Sequence, residues 1–176
     1  VKPEFYFVSA SGNKKKFTKK NLMKISKSLN EEQNKYNLKL SGGDTTNFKN
    51  TSFSISVIGF SNKIIERNKA KLNDDIYVTG NIGDSYVGLN VIKNKIKITS
   101  KLKKYFISKY YCPNLPFKIY KFLNKFANTS MDVSDGLICD LTKLINKQKL
   151  SFEVDINKIP ISNNLELYLK KYKKKT

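Results

Sequence analysis

The chain has 176 residues and a formal net charge of +20, from 34 lysines and arginines against 14 aspartates and glutamates. Its length suffices to bury a hydrophobic core without disulfides, and 39% hydrophobic residues is typical of a globular protein. Because the chain has no histidine, a Ser-His-Asp triad, a Cys-His nucleophile and a histidine-bound zinc are excluded, which leaves carboxylate chemistry, hard-metal chemistry or binding.

The first half of the chain is predicted to contain three strands and a helix. Residues 4–10 are typical of a strand, and residues 18–36 of a helix, because apolar residues recur there at helical spacing. Residues 38–46, "LKLSGGDTT", are expected to form a short strand that runs into a glycine turn. Residues 52–60 alternate apolar residues and serines as a strand does. The polar stretch 61–74 is the best candidate for a boundary between two halves.

The second half is predicted to mix strands and helices. Strands are expected at 75–80, 130–135 and 151–156, and helices at 84–93, 100–110, 116–127, 136–147 and 163–172. This order predicts a mixed α/β fold, because the strands are too short and scattered for an all-β architecture.

The basic residues are spread along the whole chain rather than gathered on one element. We interpret them as solvated positions, and the C-terminal "KKYKKKT" as a solvated end. The alternative from another class is a basic, non-enzymatic nucleic-acid-binding protein. Of the 34 basic residues only Arg67 is an arginine, which indicates a need for its planar, bidentate group at that position.

Cys112 and Cys139 show no metal-binding spacing and are interpreted as two reduced thiols. The chain shows no signal-peptide pattern and no apolar stretch that approaches a membrane span, so a cytoplasmic location without membrane contact is predicted. We do not expect Val1 to be the natural start, because the sequence has no initial Met and runs directly into a strand pattern.

Two carboxylates stand three residues apart in "MDVSDGL", where a strand is expected to become a helix. Asp132 and Asp135 suit one or two Mg²⁺ ions, which prefer carboxylate, water and phosphate oxygens. Ser134 and the free N–H groups of the helix start are expected to bind a phosphate, with Gly136 allowing close approach. The structural alternative is that Ser134 or Asp135 caps the helix, which leaves Asp132 without explanation.

A second candidate site lies in "SGGDTT", residues 41–46. Gly42 and Gly43 would let the backbone wrap an anion, and Asp44 follows directly. The alternative is an ordinary glycine turn. Residues 79–88 carry three glycines without the spacing of a dinucleotide fingerprint, and a structural junction is predicted there.

In order along the chain, several segments resemble the middle of thiamine-monophosphate kinase. They are "GGDTT", "SISVIG", the lone Arg67, "AKLNDDIYVTGNIGDSYVGL", "YYCPNLP", "MDVSDGLICDL" and "EVDINKIPIS". The resemblance implies a two-domain, α/β PurM-like (AIR-synthase-like) fold. Residues 1–72 would end the N-terminal dimerisation and ATP-binding domain, and residues 73–176 would begin the C-terminal domain.

The resemblance also implies an activity: ATP- and Mg²⁺-dependent phosphorylation of thiamine monophosphate to thiamine diphosphate, by a homodimer when full-length. The ATP site would include Gly43, Asp44, Arg67 and Ser134, and the Mg²⁺ ligands would be Asp44, Asp132 and Asp135. No catalytic side chain is assigned, because phosphoryl transfer needs positioning and charge neutralisation more than a base.

The family's early "GDDAAV"-like acid pair and "VEGVHF"-like stretch have no counterpart here, and neither does its later "GGEDYEL"-like segment. We therefore expect a fragment that is doubtful as an enzyme alone: a split-gene piece, an incomplete gene prediction or an inactive remnant. A sister enzyme of the same fold with another phosphoryl acceptor is a further alternative.

Overall fold

A computed structural model describes residues 2–172, and these form two compact units. One unit runs to Ile64 and includes Tyr120–Asn124, and the other contains Ile65–Ile119 and the chain from Lys125 onward. The end of the segment "KKYKKKT", predicted to be solvated, lies outside the described residues. The predicted division into 1–72 and 73–176 stays a prediction.

The first unit is a three-stranded sheet with one long helix. β1 (Lys2–Gly12), α1 (Lys19–Tyr36), β2 (Lys39–Asn47) and β3 (Ser52–Phe60) follow in sequence, and the strand order is β2-β1-β3. β1 and β2 are parallel, which requires a crossover between them, and α1 provides it. β3 pairs with β1 antiparallel. The predicted α1 is confirmed, and it begins where the Thr18 side chain accepts from the Asn21 N–H at 3.3 Å.

The two faces of this sheet differ in chemistry, as the alternation in 52–60 predicts. Phe53, Ile55 and Val57 of β3 lie level with Ala10, Val8 and Tyr6 of β1, so these apolar residues share one face. On the other face, residues paired directly across the strands include Ser9 with Ser54, and Ser11 with Ser52, whose hydroxyls are 2.8 Å apart. The sheet therefore has one apolar face and one face that is rich in hydroxyls.

The second unit is mainly helical. Its helices are α2 (Asp84–Ile92), α3 (Ser100–Tyr111), α5 (Leu137–Leu144) and α6 (Asn163–Tyr172), with a 3₁₀ turn at Ile156–Lys158. A 3₁₀ turn, Phe117–Ile119, leads into α4 (Tyr120–Phe126), which crosses into the first unit. Among the described residues, no helix is long and apolar enough to cross a bilayer.

The core of the second unit lies between α2, α3 and α6. It is built from Val87, Val91, Leu102, Phe106, Leu165 and Tyr168, with Phe106 fully buried and packed edge-on against Tyr168 at a centroid distance of 6.0 Å. The predicted junction at 79–88 has a structural role. A Cβ on Gly88 would stand 2.2 Å from the Phe106 carbonyl oxygen, so glycine lets α2 and α3 pack closely.

Three predicted strands are wrong. Residues 75–80, 130–135 and 151–156 belong to no ladder within the described part of the chain. The reason is physical: β-propensity describes a residue's fit to a pleated sheet, and a strand forms only beside a hydrogen-bonded partner. Within residues 75–80, Ile76 and Tyr77 are exposed, Tyr77 by 88%. The predicted helix 136–147 is shorter than expected and ends at Leu144.

The predicted glycine turn in 38–46 is also wrong, because β2 runs unbroken from Lys39 to Asn47. A register shift falls between Tyr6 and Phe7 of β1, where Leu40 and Gly42 are the successive partners on β2. The two glycines therefore accommodate an irregular strand pairing rather than a loop around an anion.

Candidate functional site

The central feature of the second unit's site is the acidic loop, which we define as residues 131–136. One oxygen of Asp140, Oδ2, accepts hydrogen bonds from the backbone N–H groups of Ser134, Asp135 and Gly136, at 2.9, 2.9 and 3.1 Å. Asp140 lies in the first turn of α5 and is only 1% exposed. The loop is thus wrapped around a buried carboxylate that comes from the following helix.

Asp140 is charged, and its charge is matched by Lys143. The Lys143 ammonium donates to Asp140 Oδ1 at 2.9 Å and also pairs with Asp135. This contact, together with the three backbone donors, outweighs the burial and holds the pKa of Asp140 at about 2. The same two carboxylates, Asp135 first, raise the pKa of Lys143 above its ordinary value.

This arrangement corrects one expectation: neither Ser134 nor Asp135 caps the helix, because the N-cap residue of α5 is Gly136, and it makes no side-chain cap. The N–H groups of Ser134, Asp135 and Gly136 are engaged by Asp140. Phosphate binding by the N–H groups of the first turn of α5, which begins at Leu137, stays a prediction. Gly136 has φ 131°, a conformation that side-chain-bearing residues rarely adopt.

The carboxylates of the acidic loop remain on the surface. Asp132 is exposed and makes no hydrogen bond or ion pair with any residue that the structure describes, while Asp135 is exposed and paired with Lys143. Ser134 is exposed as well. This donor set fits Mg²⁺, which takes oxygen ligands and commonly only one or two protein carboxylates.

Cys139 also lies near the acidic loop. The sequence spacing of the two cysteines gave no indication of this position. Ligand atoms of Asp135, Cys139 and Asp140 all lie within 4.8 Å of one another, and the thiol is free and exposed. The Lys143 ammonium pairs with both carboxylates of this cluster, and its single positive charge leaves a net charge of about −1 on the three groups.

Arg67 is fixed against the flanks of the acidic loop and α5. On one side of it, the Glu66 carbonyl accepts from the Thr129 hydroxyl at 2.8 Å. On the other side, the Asn68 N–H donates to the Leu144 carbonyl at 2.7 Å. The Arg67 side chain is exposed and forms no ion pair within residues 2–172, so its guanidinium is available to an anionic ligand.

Two further links strengthen this attachment. The Asn68 side chain accepts from the Lys147 N–H at 2.8 Å, and Gln148 makes two hydrogen bonds to the backbone of Ala70, at 2.9 and 3.1 Å. These residues lie 78 to 79 positions apart in sequence. Sequence reasoning missed them, because the sequence around an Asn or Gln does not show which distant backbone group its side chain binds.

Asp74 provides a third link to the same region. Its carboxylate accepts from Asn128 at 2.9 and 3.0 Å and from the Lys71 N–H at 2.8 Å. The Lys71 N–H, and then Asn128, lower the pKa of Asp74 below its ordinary value. The segment that carries Arg67 is therefore attached to the chain on both sides of the acidic loop.

The remaining predicted site residues lie in the first unit. A Cβ on Gly43 would stand 1.9 Å from the Val8 carbonyl oxygen, so glycine is required here for close strand approach. Asp44 is exposed and lies level with Ser9, on the hydroxyl-rich face of the sheet. Asp44 Oδ1 accepts from the N–H of its neighbour Thr45 at 2.7 Å. No side chain that the structure describes forms a hydrogen bond or an ion pair with the Asp44 carboxylate.

The predicted site residues thus fall into two groups. Arg67, Asp132, Ser134 and Asp135 belong to the second unit, and Gly43 and Asp44 belong to the first. Asp140, whose carboxylate binds the backbone of the acidic loop, was not predicted as a site residue. The one available signal was an aspartate inside the otherwise apolar stripe of "LICDLTKLI", since a buried charge normally has a specific partner.

Comparisons with known proteins agree on one similarity. The chain is 33% identical over 150 residues to thiamine-monophosphate kinase of Leptospira interrogans, covering 84% of this chain and 49% of the relative. It is 40% identical over 147 residues to that of Buchnera aphidicola from Acyrthosiphon pisum, covering 82% and 45%. The chain therefore spans about half the length of these curated relatives. No family model matches.

Solved structures show the same similarity in three dimensions. AaThiL complexed with AMPPCP and TMP superposes with a TM-score of 0.86 at 25% identity, covering 97% of this chain and 55% of that one. Thiamine monophosphate kinase from Aquifex aeolicus superposes with a TM-score of 0.87 at 25% identity, covering 97% and 57%. The α/β, PurM-like fold expected from the sequence is thereby confirmed for this partial chain.

Proposed function

The chain is a partial thiamine-monophosphate kinase-like sequence, and from this premise we propose that it supplies part of an enzyme that phosphorylates thiamine monophosphate with ATP. One observation carries the proposal: nearly the whole chain superposes on AaThiL, which is complexed with AMPPCP and TMP. The product would be thiamine diphosphate. Because the chain spans about half of its relatives, the activity is proposed for the whole protein.

Magnesium would be held by carboxylates at two places on the chain. Asp132 and Asp135 would contribute from the acidic loop and Asp44 from β2. Asp132 and Asp44 are exposed, and neither forms an ion pair within the described part of the chain. When bound, Mg²⁺ supplies neutralisation of phosphate charge, which is the main electrostatic need of phosphoryl transfer.

The nucleotide would be positioned by Arg67 and Ser134 of the second unit. The planar guanidinium of Arg67 can donate two parallel hydrogen bonds to a phosphate, and the links on both sides of it restrict its backbone. The hydroxyl of Ser134 can donate one more. Backbone N–H groups of the acidic loop do not take part, because Asp140 accepts from them.

The chain's residues act by positioning and by charge, with no side chain as a base. A phosphate acceptor is already ionised near neutral pH, so its oxygen needs no proton removed before it attacks. This agrees with the absence of histidine. We further propose that the whole protein is a cytoplasmic homodimer, in which residues 1–72 complete the dimerisation domain.

A direct test is titration of the purified chain with AMPPCP, with and without Mg²⁺. We expect saturable, magnesium-dependent binding that is weakened in Asp132→Asn and Arg67→Lys. Glu153→Gln is a matched control, since Glu153 is an exposed carboxylate of the same unit outside the site. It should bind as the wild type does.

Two outcomes would contradict the proposal. One is binding that ignores both substitutions and disappears with added salt, which would mean that the +20 charge collects anions without a site. The other is equal strengthening of binding in Asp132→Asn and Glu153→Gln, which would mean that net charge rather than position controls binding, since each substitution removes one negative charge.

A further inference from the structure

We infer that Asp140 is a positioning residue of this site: its buried carboxylate holds the acidic loop in the shape that presents Asp132, Ser134 and Asp135 to solvent. The inference rests on the proposed function for the role of those three side chains. It assigns Asp140 itself no contact with nucleotide or metal.

The backbone of the loop carries the first part of the argument. Three consecutive N–H groups that converge on one point form a concave anion-binding site, of the kind that other proteins offer to phosphates. Here the anion is Asp140 Oδ2, at 2.9 to 3.1 Å from all three nitrogens. The loop is therefore closed around an internal anion and keeps its shape before any ligand arrives.

The side chains carry the second part. Asp140 Oδ1 accepts from Lys143 at 2.9 Å, and the same ammonium pairs with Asp135. Asp140 thus restrains Asp135 twice, through its backbone N–H and through Lys143. Asp132 and Ser134 lie on the loop that the N–H contacts shape, so their directions depend on Asp140 as well.

The partners of Asp140 show why a carboxylate is present at a buried position. A charge that is 1% exposed carries a desolvation cost, and an apolar residue there would continue the stripe of α5 without it. Its side-chain contacts are to the loop backbone and to Lys143, whose second partner is the loop residue Asp135. The carboxylate therefore acts on the loop rather than on the helix core.

The test compares Asp140→Ala and Asp140→Asn with Asp84→Asn in the 176-residue chain. Asp84 is a matched control, because it is another aspartate of the second unit, 4% exposed, hydrogen-bonded to Tyr105 and Ser162. Two quantities are measured: amide hydrogen exchange at residues 134–136, and the affinity for AMPPCP with Mg²⁺.

In Asp140→Ala we expect the three amides to lose protection and the magnesium-dependent affinity to fall by about 10–100-fold, the range for residues that orient metal ligands. Asp140→Asn keeps one amide oxygen for the N–H groups but loses Lys143, so an intermediate loss is expected. If Asp140→Ala does not fold, the test is made with Asp140→Asn alone. Asp84→Asn should leave both quantities unchanged even though it lowers stability.

Two results would overturn the inference. One is exchange at 134–136 that is as fast in the wild type as in the Asp140 variants, and the other is unchanged affinity in both Asp140 variants. Failure of the wild type to bind AMPPCP with Mg²⁺ would instead overturn the proposed function. The exchange comparison would then decide the structural role of Asp140 independently.

Discussion

The Ser162 hydroxyl donates a 2.7 Å hydrogen bond to Asp84 Oδ1 and also accepts from the Leu165 N–H at 3.0 Å. Asp84 begins α2, and Ser162 precedes α6. Both residues are buried, and Asp84 Oδ2 accepts from the Tyr105 hydroxyl at 2.8 Å. One carboxylate therefore joins the starts of two helices to α3, around the core of the second unit.

We predict that Asp84→Ala destabilises the second unit by about 2–3 kcal/mol, because it leaves the buried Ser162 hydroxyl without an acceptor and opens a small cavity. Urea unfolding followed by circular dichroism measures the change. Asp155→Ala is the comparison: it removes a half-exposed carboxylate that caps a 3₁₀ turn. We expect it to lower the free energy of unfolding by less than about 1 kcal/mol, as for loss of an exposed N-cap. Equal effects of the two substitutions would contradict this account.

Gly43→Ala is predicted to weaken the pairing of β1 and β2, because the new Cβ would meet the Val8 carbonyl oxygen at 1.9 Å. Relief requires the two strands to separate, at about 1–3 kcal/mol or more. Amide exchange across β2 should rise. Ser41→Ala is the control on the same strand, since Ser41 is exposed, and it should leave exchange unchanged. Unchanged amide exchange in Gly43→Ala would mean that β1 and β2 approach less closely than described.

Tyr6→Phe is predicted to stabilise the first unit by about 1 kcal/mol. Tyr6 is 3% exposed, and its hydroxyl finds no hydrogen-bond partner among residues 2–172, so removing the oxygen removes an uncompensated desolvation cost. Burial also raises the pKa of the Tyr6 phenol. Thermal unfolding measures the difference, with the exposed Tyr77→Phe as the neutral control. A destabilised Tyr6→Phe would show that the hydroxyl is satisfied.

The stability of the chain is predicted to fall in acid partly through Asp140. Its pKa is about 2 in the folded chain and 3.8 without these contacts. A carboxyl whose pKa is depressed by folding stabilises the fold above its unfolded value, and that contribution disappears as the pH falls from about 4 to about 2. Unfolding by urea at several pH values between 2 and 5 should show a steeper loss for the wild type than for Asp140→Asn. Parallel curves would contradict the assignment.

The sequence by itself determined the elements and motifs whose signals are local. β1, β3 and the α-helices of residues 2–172 were predicted from periodicity, because hydrophobic spacing depends only on neighbouring residues. The acid pair Asp132 and Asp135, the lone Arg67 and the order of the motifs were equally visible, and they indicated the similarity that the comparisons then showed.

The tertiary structure decided which polar groups are already engaged. Periodicity could not show that Gly42 and Gly43 lie inside an irregular strand, or that residues 75–80, 130–135 and 151–156 have no ladder partner, since pairing is a long-range property. The same holds for Asp140. Its position on the apolar stripe of α5 is local, but the convergence of three loop N–H groups on its carboxylate appears only once the chain is folded.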